Sequence, residues 1–279
     1  MTVEPSLRPS PGPSSVRPSP GPSLRPDRLR HILNELRFEV SRETVNSGTM
    51  TGEARLTPFM HAPGTPYLRT SILIVWADML SGLLALAGMR PRVPVTLELD
   101  VNLYRPAPGD GPLSAVGTTV KRGRSVQVFE STFAGADGTP FAFSTGLFMA
   151  SPDATLPAPP EMDSMPAISS APALSVPLGD RAGLVRVAPG VARLPLRADG
   201  LNASNTLNGG LIGVAAEEAV LSLAPPGATV SSLALRYLSP VRTGPAVASA
   251  EGSHGLYRVQ VRDQGSAGRL AVLATARTF

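Results

Sequence analysis

Residues 201–223, LNASNTLNGGLIGVAAEEAVLSL, open with three asparagines, pass through Gly209-Gly210 and continue apolar on all sides except at Glu217 and Glu218. A helix that is hydrophobic all round is expected to be buried at the centre of a domain. Small residues at its start let another backbone or a ligand come close. Its unpaired N–H groups and positive dipole end make that start a place for a developing oxyanion. Gly-Gly taken alone reads first as a loop entering a core helix.

An earlier stretch has the same build. Thr70 to Ala87, TSILIVWADMLSGLLALA, is apolar but for Asp78 and the small polar residues. Its length raises a membrane span, yet a central Asp costs about 2.5–3.5 kcal/mol on insertion, and strands follow directly. The expectation is a buried helix of a soluble domain.

Around each helix the strands repeat. In the first half, 38–45 and 49–56 read as a hairpin about Asn46-Ser47-Gly48; 93–103, 113–121, 125–133 and 140–148 follow the helix as strands. In the second half, 185–187 and 191–197 flank Pro189-Gly190, and 229–238 follows the helix. The segments SVQV (125–128) and RVQV (258–261) correspond, as do LYRP (103–106) and YLSP (237–240). An internal repeat of this size, about 130 residues, sets the architecture.

The rest of the chain is punctuation. Residues 1–26 are an imperfect Pro/Ser/Gly/Arg repeat that cannot bury enough apolar surface to order itself, and they lack the apolar core of a secretion signal. Folding is expected from Asp27, as the cap of a helix over 27–37. Residues 151–177, rich in Pro, Ala and Ser, read as a linker. The expected organisation is thus a tail (1–26), a first domain (27–150), the linker (151–177) and a second domain (178–279), in a cytoplasmic protein. There is no cysteine, and the three histidines show no metal-binding spacing, so no metal site is expected. The net charge of +4 comes from scattered arginines and one lysine, with few aromatics, which argues against a nucleic-acid partner.

Taken together, the sequence resembles the hotdog-fold acyl-CoA thioesterases of the phenylacetic-acid-degradation type, present twice in tandem over roughly 27–150 and 178–279. The resemblance implies an α+β fold in which each antiparallel sheet wraps a long helix, the two units pairing as a pseudo-dimer within the chain. Further homodimerisation is compatible with it. The family's pattern is an Asn, then His-Gly-Gly six positions on, then an acid nine after the His. The second half matches with Asn202, Asn208-Gly209-Gly210 and Glu217, Asn replacing His and Glu replacing Asp. In the first half the same frame reads Pro63, Arg69-Thr70-Ser71 and Asp78, and the family's hydroxyl residue is Thr96, where the second half has Val230.

In such enzymes the acid of one unit faces the helix start of the other. The resemblance therefore implies one composite site, Asp78 and Thr96 against Asn202, Asn208, Gly209 and Gly210, and a degraded one, Glu217 and Val230 against Arg69, Thr70 and Ser71. The implied activity is hydrolysis of an acyl thioester of CoA or a carrier protein, with no cofactor and with Asp78 as base or nucleophile. Lys121, Arg122 and Arg124 are candidates for the CoA phosphates, or simply a solvated turn. The alternatives are a catalytically silent acyl-thioester binder and a hotdog dehydratase or hydratase, which would need a histidine beside the acid.

Overall fold

The computed structural model describes residues 31–41, 45–153, 155 and 172–279. The expected tail, the Asp27 cap and most of the expected linker lie outside them. The first described turn is a 3-10 helix, Ile32–Leu36, capped by His31, whose Nδ1 accepts from Leu33 N–H at 3.2 Å.

Among the described residues twelve strands form one antiparallel sheet. The first half supplies β1 (Glu39–Ser41), β2 (Thr49–Arg55), β3 (Pro94–Leu103), β4 (Pro112–Arg122), β5 (Val126–Ala134) and β6 (Pro140–Ala150). The second half supplies β7 (Val185–Ala188), β8 (Val191–Leu194), β9 (Val230–Tyr237), β10 (Ala246–Ser253), β11 (Leu256–Asp263) and β12 (Arg269–Thr278). The sheet order is β1-β2-β4-β5-β6-β3-β9-β12-β11-β10-β8-β7. Each half has the same internal order, and the halves meet edge to edge at β3 and β9. Between β2 and β3 runs helix α1 (Thr70–Met89); a short α2 (Leu178–Ala182) precedes β7; α3 (Gly209–Leu221) runs between β8 and β9.

The central ladder fixes how the halves relate. Glu98 pairs with Arg236 and Asn102 with Ser232. The offset that takes Thr96 to Val230 takes Glu98 to Ser232 and Asn102 to Arg236, so Glu98 faces the counterpart of Asn102 and Asn102 faces the counterpart of Glu98. That reciprocity is the mark of a twofold contact. The axis passes through the Asp100–Ala234 pair.

Both helices lie on one face of the sheet and touch each other. Helix α1 is long and apolar enough to cross a membrane, with a mean hydropathy of 2.0, but it is packed against β3 to β6 and α3. Trp76 on α1 stacks on Phe38, ring centroids 5.1 Å apart, and Phe129 meets Phe148 edge-on at 5.6 Å. Gly52 gives Phe38 its place, since a Cβ there would lie 2.2 Å from the ring. Leu174 is buried as well, and its N–H donates to Glu35 O at 3.0 Å, so the segment just before α2 lies against the first half.

The helices cross where α3 is smallest. A Cβ on Gly210 would fall 2.6 Å from Val75 Cγ2 and 3.2 Å from Val75 Cα, and one on Gly213 would fall 3.3 Å from Ile74 Cγ2. Gly210→Ala raises local helix propensity by up to about 1 kcal/mol. The methyl must nevertheless push two buried helices apart, which typically costs about 1–3 kcal/mol. We expect the clash to win and the urea midpoint of Gly210→Ala to fall.

Candidate active site

Two sites lie where each helix start meets the acid of the other helix, and they are unlike in every polar contact. At the start of α1, Thr70 N–H donates to Glu217 Oε1 at 2.8 Å, Arg69 Nε donates to Glu217 Oε2 at 2.9 Å, and Ser71 Oγ donates to the same oxygen. Arg69 Nη2 reaches Glu218 Oε2 at 2.7 Å, and Arg186 pairs with the other oxygen of Glu218. Thr70 Oγ1 donates to Val230 O at 2.6 Å. Arg69 is 3 % exposed and Glu217 fully buried. Burial opposes a charge on Arg69, but Glu217 and Glu218 outweigh it and raise its pKa. Burial likewise pushes Glu218 up, and Arg69 with Arg186 outweighs that and holds it below the usual carboxylate range. The cluster has two cations and two anions and is filled by its own side chains.

The start of α3 is open. Asn208 caps it: its Oδ1 accepts from Gly210 N–H at 2.8 Å, while its own N–H donates to Gly200 O. Gly209 N–H has no acceptor among the described residues. Asn208 and Gly209 therefore divide the work expected of the Gly-Gly pair. Gly210 spends its N–H on the cap, and its lack of a side chain serves the helix crossing. Asn202 turns to its own loop, Oδ1 accepting from Ser204 N–H at 3.0 Å and from Thr206 N–H and Oγ1 at 3.1 Å.

Facing this start is Asp78, half-buried on α1. Thr96 Oγ1, at the beginning of β3, donates to Asp78 Oδ1 at 3.0 Å. No cation pairs with Asp78 among the described residues. Desolvation raises its pKa to about 6 against the opposing pull of the Thr96 hydrogen bond. Tyr237, which sequence reasoning missed, ties the two sides together. Its hydroxyl donates to Gly209 O at 3.1 Å, and burial, followed by the charge of Asp78, pushes its pKa well above 10. The sequence did contain a signal, because YLSP replaces LYRP and moves the aromatic one position along the strand.

Acid length separates the two sites. Glu217 reaches the first free N–H of α1 directly, whereas Asp78, one methylene shorter, makes no hydrogen bond to α3. By the twofold relation, Glu217 Oε1 marks the spot beside Gly209 N–H that a substrate oxygen could take. Thr96 and Asp78 are thus linked to the first turn of α3 through Tyr237, while Arg69, Thr70, Ser71 and Glu217 close on themselves. Lys121, Arg122 and Arg124 are exposed at the β4–β5 turn. Arg122 pairs with Gln127, Gln127 with Phe148 and Phe148 with Thr96, so the turn lies three strands from Thr96, about 14 Å at the usual spacing.

Residues 71–141 match the model of the thioesterase superfamily. A search of curated proteins finds no match. Among solved structures, an acyl-ACP thioesterase from Bacteroides thetaiotaomicron superposes with a TM-score of 0.59 at 14% identity, covering 84% of this chain and 99% of that one. The 12:0-ACP thioesterase from Umbellularia californica gives 0.60 at 14% identity, covering 83% and 97%. The chain has the hotdog fold of these proteins, and its first helix with the strands after it carries the thioesterase-superfamily pattern.

The closed cluster makes its own prediction. Arg69→Met leaves Glu217 and Glu218 buried without their shared cation, a loss that typically costs about 3–5 kcal/mol. Chemical denaturation at neutral pH should show a drop of that order.

Proposed function

We propose that the chain is an acyl thioester hydrolase, a tandem pair of hotdog units with one working site per chain, made of Asp78 and Thr96 from the first half and Asn208 and Gly209 from the second. The observation that carries this reading is the contrast just described: a free N–H opposite an unpaired acid at one helix start, and the same two groups already joined at the other.

The chemistry follows from the groups present. The thioester carbonyl oxygen sits on Gly209 N–H. Thr96 holds one oxygen of Asp78, leaving the other for a water. Asp78 takes a proton from that water as its oxygen bonds to the acyl carbon, and the carbonyl oxygen becomes negative against Gly209 N–H and the dipole of α3. Collapse breaks the C–S bond, and the thiolate leaves with the proton returned from Asp78. A base with a pKa near 6 is mostly ionised at neutral pH and still basic enough to help. Oxyanion donors of this kind are typically each worth about 10²–10³-fold in turnover.

Asn208 stands where the family has histidine and supplies a cap that does not titrate. Arg122, on the same row of the sheet as Thr96, with Lys121 and Arg124 beside it in the turn, suits the phosphates of a pantetheine-bearing thiol, whether CoA or a carrier protein. The hydratase alternative loses ground because His61 is held elsewhere, its Nε2 2.7 Å from Gly109 O.

A panel of acyl-CoAs assayed for free thiol is the direct test. Asp78→Asn should lower kcat by at least about 10²-fold, the lower range for loss of a general base. Wild-type kcat should rise with pH through about 6 as Asp78 ionises. If Asp78→Asn retains full activity, the assignment is wrong; if no thioester turns over, the silent binder is the better account.

Stability should move the other way. The folded pKa of Asp78 is raised, so the native state holds its proton more tightly than the unfolded chain does. Stability therefore falls as pH climbs from about 4 to 6, by roughly 2–3 kcal/mol for a shift of this size. At pH 7 the inactive Asp78→Asn protein should melt above wild type, while at pH 4 the two should converge.

Asp78→Glu keeps the charge but lengthens the arm. We expect it to bond Gly209 N–H as Glu217 bonds Thr70 N–H, and to lose turnover although a carboxylate remains. Glu217→Gln should weaken the fold and leave kcat of the folded protein near wild type.

A further inference from the structure

The peptide between Gly209 and Gly210 is held at both ends. Its N–H, on Gly210, donates to Asn208 Oδ1 at 2.8 Å, and its C=O, on Gly209, accepts from Tyr237 O–H at 3.1 Å. The peptide before it has its C=O, on Asn208, bonded by Ile212 N–H at 3.2 Å, while its N–H, on Gly209, is free. Two clamps on one peptide fix the direction in which the neighbouring free N–H points.

The Tyr237 ring adds a steric clamp. A Cβ on Gly209 would stand 3.1 Å from ring Cε1, so ring and helix start are in full contact and the glycine is needed there. On the closed side the corresponding strand position is Leu103, which carries no hydroxyl, and there Glu217 holds the helix start instead. The closed half-site is fixed by an acid sitting on its donor. The open one needs a clamp that reaches the helix from behind.

We propose that Tyr237 is the positioning residue of the active half-site, holding the first peptide of α3 so that Gly209 N–H is presented to the acyl oxygen without being consumed. The inference rests on the hydrolase reading for its kinetic consequence but not for its structural one. Burial and the charge of Asp78 keep the phenol protonated beyond pH 10, so the clamp does not release across the working range. Asn208 cannot substitute for it, because its oxygen holds the other end of the same peptide.

The test is Tyr237→Phe, which keeps the ring against Gly209 and deletes only the donor. Amide hydrogen exchange, followed by NMR, should show faster exchange at Gly210 and the first turn of α3, by roughly 5–10-fold for a neutral hydrogen bond lost. The rest of α3 and the β3–β9 ladder should be unchanged. On a thioester that wild type turns over, kcat should fall by about 10-fold with KM within about twofold, as expected when a reacting group is misaimed rather than binding lost.

Unchanged exchange in the first turn would overturn the proposal whatever the kinetics. So would wild-type kcat in a stable variant, or a loss confined to KM. Faster exchange in a protein whose wild type hydrolyses nothing would keep the clamp and sink the hydrolase reading. Should Tyr237→Phe fold poorly, Gly209→Ala supplies a second route, since its methyl must displace the same ring. It should give the same kcat loss and first-turn exchange, and no change in either would refute the clamp.

Discussion

The antiparallel pairing of β3 with β9 is the constraint on which the rest depends. It closes the inner edge of each half against the other, so neither sheet presents an open central edge. Its register, centred on Asp100 and Ala234, also fixes how α1 and α3 cross on the face beneath. From that crossing it follows that the acid midway along each helix lands near the first turn of the other. Neither site could form within one half.

Given this geometry, the two helix starts show two solutions to one electrostatic problem. A buried helix start carries free N–H groups and partial positive charge, and something negative must meet them. At α1 the fold supplies the negative group itself, in Glu217, and adds Arg69 to neutralise the surplus. At α3 an asparagine caps one N–H, a tyrosine braces the peptide from its carbonyl side, and the Gly209 donor stays unoccupied. The raised pKa of Asp78 belongs to the same arrangement: an acid given a hydroxyl partner but no cation is only partly compensated for its burial.

Much of this could be read from the chain. The all-round apolar character of 70–87 and 201–223, the Gly-Gly before α3 and the repeated strand signals placed both long helices and most strands within a few residues of where they lie, while β10 (Ala246–Ser253), rich in Ala, Ser and Gly, gave no such signal. The first half was less legible. Phe38 to Val45 alternates like a strand; of the described residues Glu39–Ser41 pair as β1, whereas Val45–Ser47 forms a 3-10 turn. Pairing of Asp78 with Thr96 followed from the family resemblance and is present as a hydrogen bond. What sequence could not supply was the fate of each N–H. Whether Gly210 donates to a substrate or to Asn208 depends on a side-chain rotamer, and whether Glu217 is a spare acid or a bound one depends on the length of one methylene and the position of Arg69. Tyr237 escaped for a related reason: its role rests on a hydroxyl meeting a carbonyl 28 positions away, and no periodicity records that.

The closed cluster has a consequence for how the two halves can vary. In an assembly of two identical chains, any change at the helix start or at the acid strikes both sites at once. Here the same two positions occur twice with different duties. On the proposed reading, a lesion at Asp78 yields a protein that is abundant, heat-tolerant and dead. A lesion at Glu217 or Arg69 yields one that is competent when cold and lost at higher temperature. Corresponding positions of one repeat would therefore fall into opposite classes in a genetic screen, null alleles on one side of the axis and temperature-sensitive alleles on the other.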